Sequence, residues 1–255
     1  MMDANTGDLV YRPVKAHPSA VKTIAFSPDG QTFISGGETS ILMWNTNTGL
    51  PIGPRMQLRS ASVFCLKFSP DGKYFACGAY LSSTLLWDAV TGDKIGEIPH
   101  EGFFAFTPDS KQIIVMEGKH KINVWDIATL TKIGEPIETT DFFWCFAVSP
   151  DGKTLVTIAE WLDKVEFWDL ASRQRIGEPL IINMTRLTYL NFSPDGTKLL
   201  CCNQYKVLIW DVETRTYIGK IWQHSGKISA MAFSIHGNKL VTGSEDETVR
   251  VWDVD

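Results

Sequence analysis

Residues 225–253 read SGKISAMAFSIHGNKLVTGSEDETVRVWD, and this stretch decides the fold because its pattern recurs along the chain. It contains three short segments rich in β-branched and apolar residues, separated by a turn-forming His-Gly pair and by an acidic loop. Segments of this length and composition, bounded by turn residues, are typical of β-strands. The stretch therefore predicts three short antiparallel strands, the last of which ends at Trp252.

The tryptophan of that stretch has five counterparts earlier in the chain. The six follow one another at intervals of 43, 38, 43, 42 and 42 residues, and five of them are followed by aspartate. A period of this length is the signature of a repeat architecture, in which each unit packs against its neighbours. The repeated residues are Trp44, Trp87, Trp125, Trp168, Trp210 and Trp252.

A turn of one type precedes each of these tryptophans. Five of the turns read Ser/Thr-Pro-Asp-Gly/Ser, and the sixth is the degenerate Ser-Ile-His-Gly at 234–237. Proline fixes φ, aspartate bonds back to the backbone and glycine accepts positive φ, so these motifs predict hairpin turns. Each repeat then predicts four short antiparallel strands. The five regular turns begin at Ser27, Ser69, Thr107, Ser149 and Ser193.

One four-stranded repeat cannot bury both faces of its sheet, so the repeats must stack, and radial stacking also protects their edges. The predicted fold is all-β: a β-propeller of six four-stranded antiparallel blades, forming a single domain over 1–255. The predicted repeats are 15–56, 57–99, 100–138, 139–181, 182–223 and 224–255, with 4–13 as a closing outer strand.

The repeated "FSPDG", "KINVWDI" and "VRVWDVD" motifs resemble WD-repeat (WD40) proteins over essentially the whole chain. The resemblance implies that each repeat supplies the outer strand of one blade and then three strands of the next. The last repeat lacks the following outer strand, and residues 4–13 match the missing piece. We therefore expect the N-terminal strand to complete the last blade and close the ring. The open alternative is a fragment of a longer array.

The resemblance also implies a buried hydrogen-bond network of His, Ser or Thr, Asp and Trp within a blade. Only the last repeat carries it whole, with the hydroxyl coming from Thr242 or Ser244. The predicted structural network is His224, Ser244, Asp246 and Trp252.

The other repeats depart from this pattern. The first keeps His17 and Trp44 but has Glu38 in place of the aspartate, and the four middle repeats have no acidic residue there. We predict structural roles for both repeat histidines and a reliance on apolar packing in the middle blades.

Composition and motifs exclude several functions. The net charge of −5, with scattered Lys and Arg, gives no basic stripe for nucleic acid. No apolar run approaches the ~20 residues that a membrane helix needs. The five cysteines lack metal spacing and the chain has no signal-peptide pattern, which favours reduced thiols and an intracellular, cytoplasmic protein.

No motif of a nucleophilic, phosphate-binding or zinc-dependent catalytic site is present, so we predict no enzymatic activity, metal or cofactor. A metal-dependent hydrolase or lactonase in a central channel is the least favoured alternative. It would require converging ligands, whereas the predicted inner-strand positions hold Thr23, Cys65, Phe103, Cys145, Tyr189 and Ala230.

Three tryptophans lie outside the repeat positions. Trp222 falls on a predicted outer strand, where it covers a blade edge. Trp144 precedes an innermost strand and Trp161 lies in a loop, and the resemblance places both on the rim that grips peptides or protein loops. Exposed aromatics flanked by arginine are typical binding anchors. The predicted partner-binding residues are Phe142, Trp144, Trp161, Arg186, Tyr205 and Tyr80.

These features predict a non-catalytic protein-interaction scaffold that binds a peptide or protein loop on the propeller rim. Only 12 residues separate Gly96 from Pro108, against 16 or 17 in the neighbouring repeats, which predicts a notch beside the fourth blade. The alternative is a sensor or autoinhibitory region of a larger protein. Its basis is the "IGEP" pattern at 133–136 and 176–179, which is similar to WD repeats that trail nucleotide-binding signalling proteins.

Overall fold

The structure is a computed structural model. It describes residues 14–58, 63–79, 83–99, 103–118, 120–139, 141–159, 164–182, 184, 187, 189–234 and 236–254, except for the side chain of Trp144. Within these ranges the regular secondary structure is β-strand, in six antiparallel sheets, which confirms the all-β class and matches the predicted number of blades. None of the described segments is a helix long and apolar enough to cross a bilayer.

The described residues form two compact units. The first contains those up to 118 together with 122–134, and it carries the first three sheets. Within each sheet the strands pair in chain order. The first sheet comprises β1 (Thr23–Phe26), β2 (Thr32–Gly36), β3 (Ser40–Asn45) and β4 (Pro51–Gln57); the second β5 (Val63–Phe68), β6 (Tyr74–Ala79), β7 (Thr84–Asp88) and β8 (Lys94–Ile98); the third β9 (Phe104–Phe106), β10 (Gln112–Glu117), β11 (Lys121–Asp126) and β12 (Thr131–Lys132).

The second unit contains residues 120–121 and the described residues from 135 onward, with the fourth to sixth sheets. It begins with the short β13 (Ile137–Glu138). The fourth sheet comprises β14 (Phe143–Val148), β15 (Thr154–Ala159), β16 (Lys164–Asp169) and β17 (Leu180–Ile181); the fifth β18 (Tyr189–Phe192), β19 (Lys198–Cys202), β20 (Lys206–Asp211) and β21 (Tyr217–Gln223); the sixth β22 (Ile228–Phe233), β23 (Lys239–Ser244) and β24 (Val249–Asp253).

The Ser-Pro-Asp-Gly motifs form tight turns between the first two strands of their sheets. In the first sheet the Ser27 hydroxyl donates to Asp29 Oδ1 over 2.6 Å, and the same oxygen accepts the amide of Gln31 over 3.0 Å. Gly30 closes the turn at φ 68°. Ser110 adopts the same left-handed conformation in the third sheet, at φ 60°. The turn hydroxyl and carboxylate together satisfy backbone groups that the strands leave unpaired.

Apolar side chains fill the space between neighbouring sheets. In the first unit one buried cluster joins the first and second sheets and another joins the second and third. In the second unit one cluster joins the fourth and fifth sheets and another joins the fifth and sixth. Trp222 belongs to the last cluster, where its ring stacks on Trp252 with 5.4 Å between centroids. Face-to-face packing of sheets is what the stacked-repeat prediction requires.

The sixth sheet has three strands among the described residues. The predicted fourth strand, residues 4–13, lies outside them, so closure of the ring stays a prediction. On β24 the side chains of Val249 and Val251 are 73% and 64% exposed.

Candidate functional site

The sixth sheet contains a continuous buried hydrogen-bond network. Asp246 Oδ2 lies 3.0 Å from Nδ1 of His224, whose Nε2 lies 2.7 Å from the Thr242 hydroxyl oxygen. That oxygen also accepts the indole N–H of Trp252 over 2.8 Å. Because a carboxylate only accepts, Nδ1 carries the histidine hydrogen and Nε2 accepts from Thr242. The side chains of Asp246, His224, Thr242 and Trp252 are thus joined in one unbroken series of hydrogen bonds.

The hydroxyl in this network belongs to Thr242 and not to Ser244, which corrects the predicted set. Strand alternation places Thr242 and Ser244 on the same face of β23 as Leu240, the cross-strand partner of Trp252, and Thr242 is the closer of the two to that partner. Ser244 lies two residues further along β23, and its hydroxyl accepts the amide of Asp246 over 3.1 Å.

Several hydrogen bonds stabilise the ionised form of Asp246. The Thr248 hydroxyl donates to it over 2.6 Å, and His224 and the Ser225 amide bond to its other oxygen. The Thr248 bond, assisted by His224, holds the pKa of Asp246 well below its ordinary value. This aspartate therefore remains ionised through the physiological range and fixes the ring orientation of His224.

The first sheet has a shortened version of the network. Ser35 Oγ lies 2.8 Å from His17 Nε2 and accepts the Trp44 indole N–H over 2.8 Å. His17 Nδ1 is buried without a hydrogen-bond partner among the described residues. Burial lowers the pKa of His17, so the ring is neutral at physiological pH. Glu38, which stands in place of the aspartate, therefore does not bond to His17 Nδ1 as Asp246 does to His224 Nδ1.

The remaining sheets vary at the hydroxyl position. The fourth keeps a hydroxyl, and the Trp168 indole donates to Thr157 over 3.1 Å. In the second and fifth sheets this position holds cysteine, Cys77 or Cys201, as the strand register shows. The buried indole N–H groups of Trp87 and Trp210 have no hydrogen-bond partner among the residues that the structure describes. Burial raises the pKa of Cys77 to about 12 and holds the pKa of Cys201 well above its ordinary value, so both thiols are protonated.

The backbone of His224, a residue of this network, also binds the loop that carries Tyr205. This loop connects β19 with β20, and the backbone amide of His224 donates to the Tyr205 carbonyl over 2.9 Å. The Ile228 amide donates to the Gln204 carbonyl over 2.7 Å, and the Asn203 side chain accepts the Tyr205 amide over 2.9 Å. The Tyr205 side chain itself is 41% exposed. A fixed backbone thus presents a partly solvated aromatic ring.

Phe142 is the second predicted anchor that the structure describes. It lies immediately before β14 and is 44% exposed, while the adjacent Phe143 is buried in the core. The Phe142 ring packs against the His120 imidazole with 4.2 Å between centroids. Thr139 ties the segment down, because its amide donates to the His120 carbonyl and its hydroxyl to the Asp141 carbonyl, both over 2.8 Å.

A row of charged groups lies beside Phe142. Lys164 Nζ is 2.9 Å from Asp141 Oδ2 and 3.0 Å from Glu166 Oε1, and Glu166 is also 3.5 Å from the Arg175 guanidinium. Glu166 is buried, with two cations to compensate its charge. The bond to Asp141, followed by that to Glu166, raises the pKa of Lys164. These pairs fix the charge pattern next to the exposed ring.

Trp144 occupies a β-bulge. The register between β14 and β15 shifts between Phe143 and Cys145, so Trp144 is the extra residue of its strand. Bulges redirect side chains and are frequent beside functional sites. The predicted anchors Tyr80, Trp161 and Arg186 lie outside the described residues, as does part of the predicted notch, 100–102.

A second aromatic pair was missed by the sequence analysis. Phe64 occupies the bulge of the second sheet, six residues before the turn proline, as Trp144 does in the fourth. Its ring packs edge-on against Phe103 with 5.6 Å between centroids, and Phe103 is partly exposed. The signal was available in the sequence, because Phe64 shares the repeat position of Trp144.

Among the described residues, no group of three His, Cys, Asp or Glu side chains could hold a metal ion.

Comparison with known proteins identifies repeats in three parts of the chain. The family profile "WD domain, G-beta repeat" matches residues 8–45, 54–88 and 215–253. The 66 kDa stress protein of Physarum polycephalum is 24% identical over 99% of this chain and 42% of its own length. Transducin-like enhancer protein 2 of Mus musculus is 27% identical over 57% of this chain and 20% of its own length. The chain thus spans less than half the length of these relatives.

A shorter match and a structural match extend the comparison. The U3 small nucleolar RNA-associated protein 21 homolog of Schizosaccharomyces pombe is 38% identical over 22% of this chain and 6% of its own length. A chain of hydrazine synthase from Kuenenia stuttgartiensis superposes with a TM-score of 0.77, covering 98% of this chain and 81% of that one at 23% identity. At this identity the likeness concerns the fold alone. Repeat motifs and fold agree, and the family profile identifies WD repeats at 8–45, 54–88 and 215–253.

Proposed function

We propose that the protein is a non-catalytic interaction scaffold that binds a peptide or protein loop on the rim of the fourth and fifth sheets. The observation that carries this proposal is the pair of partly exposed rings, Phe142 and Tyr205, each on a loop fixed by hydrogen bonds. A preorganised aromatic anchor loses little conformational entropy when a partner binds. Such anchors typically contribute about 2 kcal/mol or more each.

The full proposed contact set also includes Trp144, Trp161, Arg186 and Tyr80. The bulge at Trp144 supports its inclusion, because an equivalent bulge carries the Phe64 ring in the second sheet. The proposed partner is a protein or peptide rather than a nucleic acid or a membrane, since the net charge is −5. We place the protein inside the cell, in the cytoplasm.

The names of the three curated relatives describe a stress protein, an enhancer protein and an RNA-associated protein, and none names a catalysed reaction. This supports a scaffold role without enzymatic activity. The hydrolase or lactonase alternative has less support, because Thr23, Phe103 and Tyr189 at inner-strand positions supply no carboxylate or imidazole ligand.

We further propose that the six sheets form one propeller domain over 1–255, with 4–13 as the closing strand of the sixth sheet. The exposed Val249 and Val251 support this arrangement, because a further strand and a covered face would remove their apolar surface from water. The second candidate function, a sensor or autoinhibitory region of a larger protein, is favoured by one observation: the stress protein aligned over 99% of this chain is more than twice as long as the matched part.

The scaffold proposal is tested by affinity capture from a lysate of the source organism, with bound proteins quantified by mass spectrometry. The test variants are Phe142→Ala/Tyr205→Ala and Trp144→Ala/Trp161→Ala. The matched control is Ile181→Ala/Ile221→Ala, because these two exposed residues lie on the outer strands β17 and β21 of the same sheets. Circular dichroism and thermal unfolding verify that each variant is folded.

We expect proteins captured by both the wild type and the control to be depleted at least tenfold with either rim variant, because the loss of one anchor of about 2 kcal/mol weakens binding more than tenfold. Equal capture by all four proteins would show that the rim aromatics are packing residues and would overturn the proposal. Depletion with the outer-strand control alone would move the binding surface to the sheet edges.

A further inference from the structure

A cavity of about 370 Å³ lies at the turns of the first and second sheets. The Pro28 and Asp29 turn forms one side, and Asp71 with Gly72 forms the other. The two turns touch, because a Cβ on Gly72 would lie 3.5 Å from Cδ of Pro28. The volume is within the range of pockets that hold ligands or inserted side chains. The complete lining is Ser27, Pro28, Asp29, Thr32, Met43, Ile52, Asp71, Gly72, Ala89 and Val90.

Part of the cavity lining is apolar. It includes Met43, a buried residue of β3, Ile52 of β4 and Ala89 of the second sheet. Val90 lies at the mouth and is 83% exposed, the highest value among the exposed large hydrophobic residues of the described chain. An apolar side chain that entered from solvent would cover Val90 and the partly buried Ile52, and this burial would favour binding.

Two carboxylates also line the cavity. Asp29 uses Oδ1 for the Ser27 hydroxyl and the Gln31 amide, and its Oδ2 has no partner among the described residues. Asp71 uses Oδ1 for the Ser69 hydroxyl, and its Oδ2 lies 3.4 Å from the largely exposed Lys73 ammonium. Burial opposes ionisation, but hydrogen bonds that include those from the turn serines lower the pKa of both groups, so both are ionised at neutral pH. The lining therefore combines negative charge with apolar side chains.

We propose that this turn groove, lined by Asp29, Asp71, Ile52 and Val90, binds a peptide segment of a partner protein that places an apolar side chain next to a lysine or arginine. The apolar side chain contacts Ile52 and Val90, and the cationic group pairs with Asp29 Oδ2, which the turn leaves available. Asp71 contributes less, because Lys73 already neutralises part of its charge. The net charge of −5 further favours a basic partner.

The groove is independent of the rim site, because none of its lining residues belongs to the rim contact set. Its occupant is also chemically distinct, since the rim presents aromatic rings and the groove presents carboxylates and aliphatic side chains. An experiment that disproves binding at one of the two sites therefore does not contradict the proposal for the other.

The test uses the full chain to select binders from a phage-displayed library of random dodecapeptides. We expect the selected peptides to be enriched in Lys or Arg next to Leu, Ile or Met. The most enriched peptide is then synthesised with fluorescein, and its affinity is measured by fluorescence polarisation at 50 mM and 500 mM salt. An ionic contact to a solvated carboxylate should weaken at the higher salt concentration.

Two variants locate the contact. Asp29→Asn keeps the Oδ1 acceptor of the turn and removes the charge, and Val90→Lys changes the mouth of the groove without disturbing a buried group. We expect each to weaken binding of the fluorescent peptide about tenfold. Asp151→Asn is the matched control, because Asp151 makes the same bonds to Ser149 and Lys153 within its turn but does not line the cavity. It should bind like the wild type, as should Phe142→Ala/Tyr205→Ala.

Three results would overturn the proposal: no enrichment of basic–apolar peptides, equal affinity in the Asp29 and Asp151 variants, or a loss of affinity only with the rim variant. A wild type that is dimeric by light scattering and becomes monomeric with Val90→Lys would assign the groove to a second copy of the chain instead.

Discussion

The repeat tryptophan has the same strand register in the sixth and second sheets, but the surroundings of its indole N–H differ. In the sixth, Trp252 donates to Thr242 at the end of a network that begins at Asp246. In the second, Trp87 faces the position of Cys77, and its indole has no hydrogen-bond partner among the described residues. The strand register of the repeat tryptophan therefore does not require the network.

Burial explains why the second sheet can omit those bonds. Phe75, Ala76 and Leu86 of the second sheet are fully buried, and the sheet belongs to apolar clusters on both faces. Among the described residues the sixth sheet belongs to one such cluster, while Val249 and Val251 are largely exposed. A sheet packed on both sides is stabilised by apolar burial, whereas a sheet packed on one side gains relatively more from internal hydrogen bonds.

The largest expected effect is in the second sheet, which is packed on both faces. Phe75→Ala should lower the free energy of unfolding by about 4 kcal/mol, because a fully buried ring is removed and a cavity is left. Val249→Ala in the sixth sheet should change it by less than about 0.5 kcal/mol, because that side chain is mostly solvated. Urea unfolding at pH 7 measures both values. Similar losses in the two variants would contradict the proposed difference between the sheets.

The network of the sixth sheet should show the next largest effect. Thr242→Val should cost about 2 kcal/mol, because His224 Nε2 and the Trp252 indole both lose their buried partner. Thr242→Ser should restore most of that stability, since it returns the hydroxyl. Ser244→Ala should cost less than Thr242→Val, and the reverse order would assign the central hydroxyl to Ser244 after all.

Acid should weaken the sixth sheet through Asp246. The folded-state pKa of this group lies below its unfolded value, so the unfolded chain takes up the proton first as the pH falls. The stabilisation is complete above the ordinary aspartate pKa of about 3.9 and is lost as the pH falls toward the folded value. Asp246→Asn should therefore be less stable than the wild type at pH 7, with a smaller difference at pH 3. Thermal unfolding at both pH values measures this, and a constant difference would contradict it.

The smallest expected effect comes from adding a hydroxyl group to the second sheet. Cys77→Ser should raise the stability by about 1 kcal/mol, because it supplies the buried Trp87 indole with the acceptor that Thr242 gives Trp252. Ala76→Ser places a hydroxyl on the other face of β6, in the second apolar cluster, and should be destabilising. The two variants are compared by urea unfolding. A destabilised Cys77→Ser would show that the thiol packing outweighs the added hydrogen bond.

Part of the site could be predicted because it follows from local sequence rules. The exposed position of Phe142 beside the buried Phe143 follows from strand alternation before β14. The choice of Thr242 over Ser244 required the register of β23 and β24, which depends on pairing between strands. The Phe64–Phe103 pair and the turn groove were missed, because each is assembled from residues of two sheets whose packing distance no repeat motif specifies.

The sequence by itself determined the strand content, the six repeats and the turn chemistry, because hydrophobic alternation and the Ser-Pro-Asp-Gly motif act over a few neighbouring residues. Tertiary structure alone decided which polar groups meet and which stay unpaired, such as Thr242 with His224 or the indole of Trp87. It also brought the turns of two sheets together around a cavity lined by two carboxylates and by aliphatic side chains. These outcomes depend on contacts between residues far apart in the chain, which the packing of one sheet on another brings together.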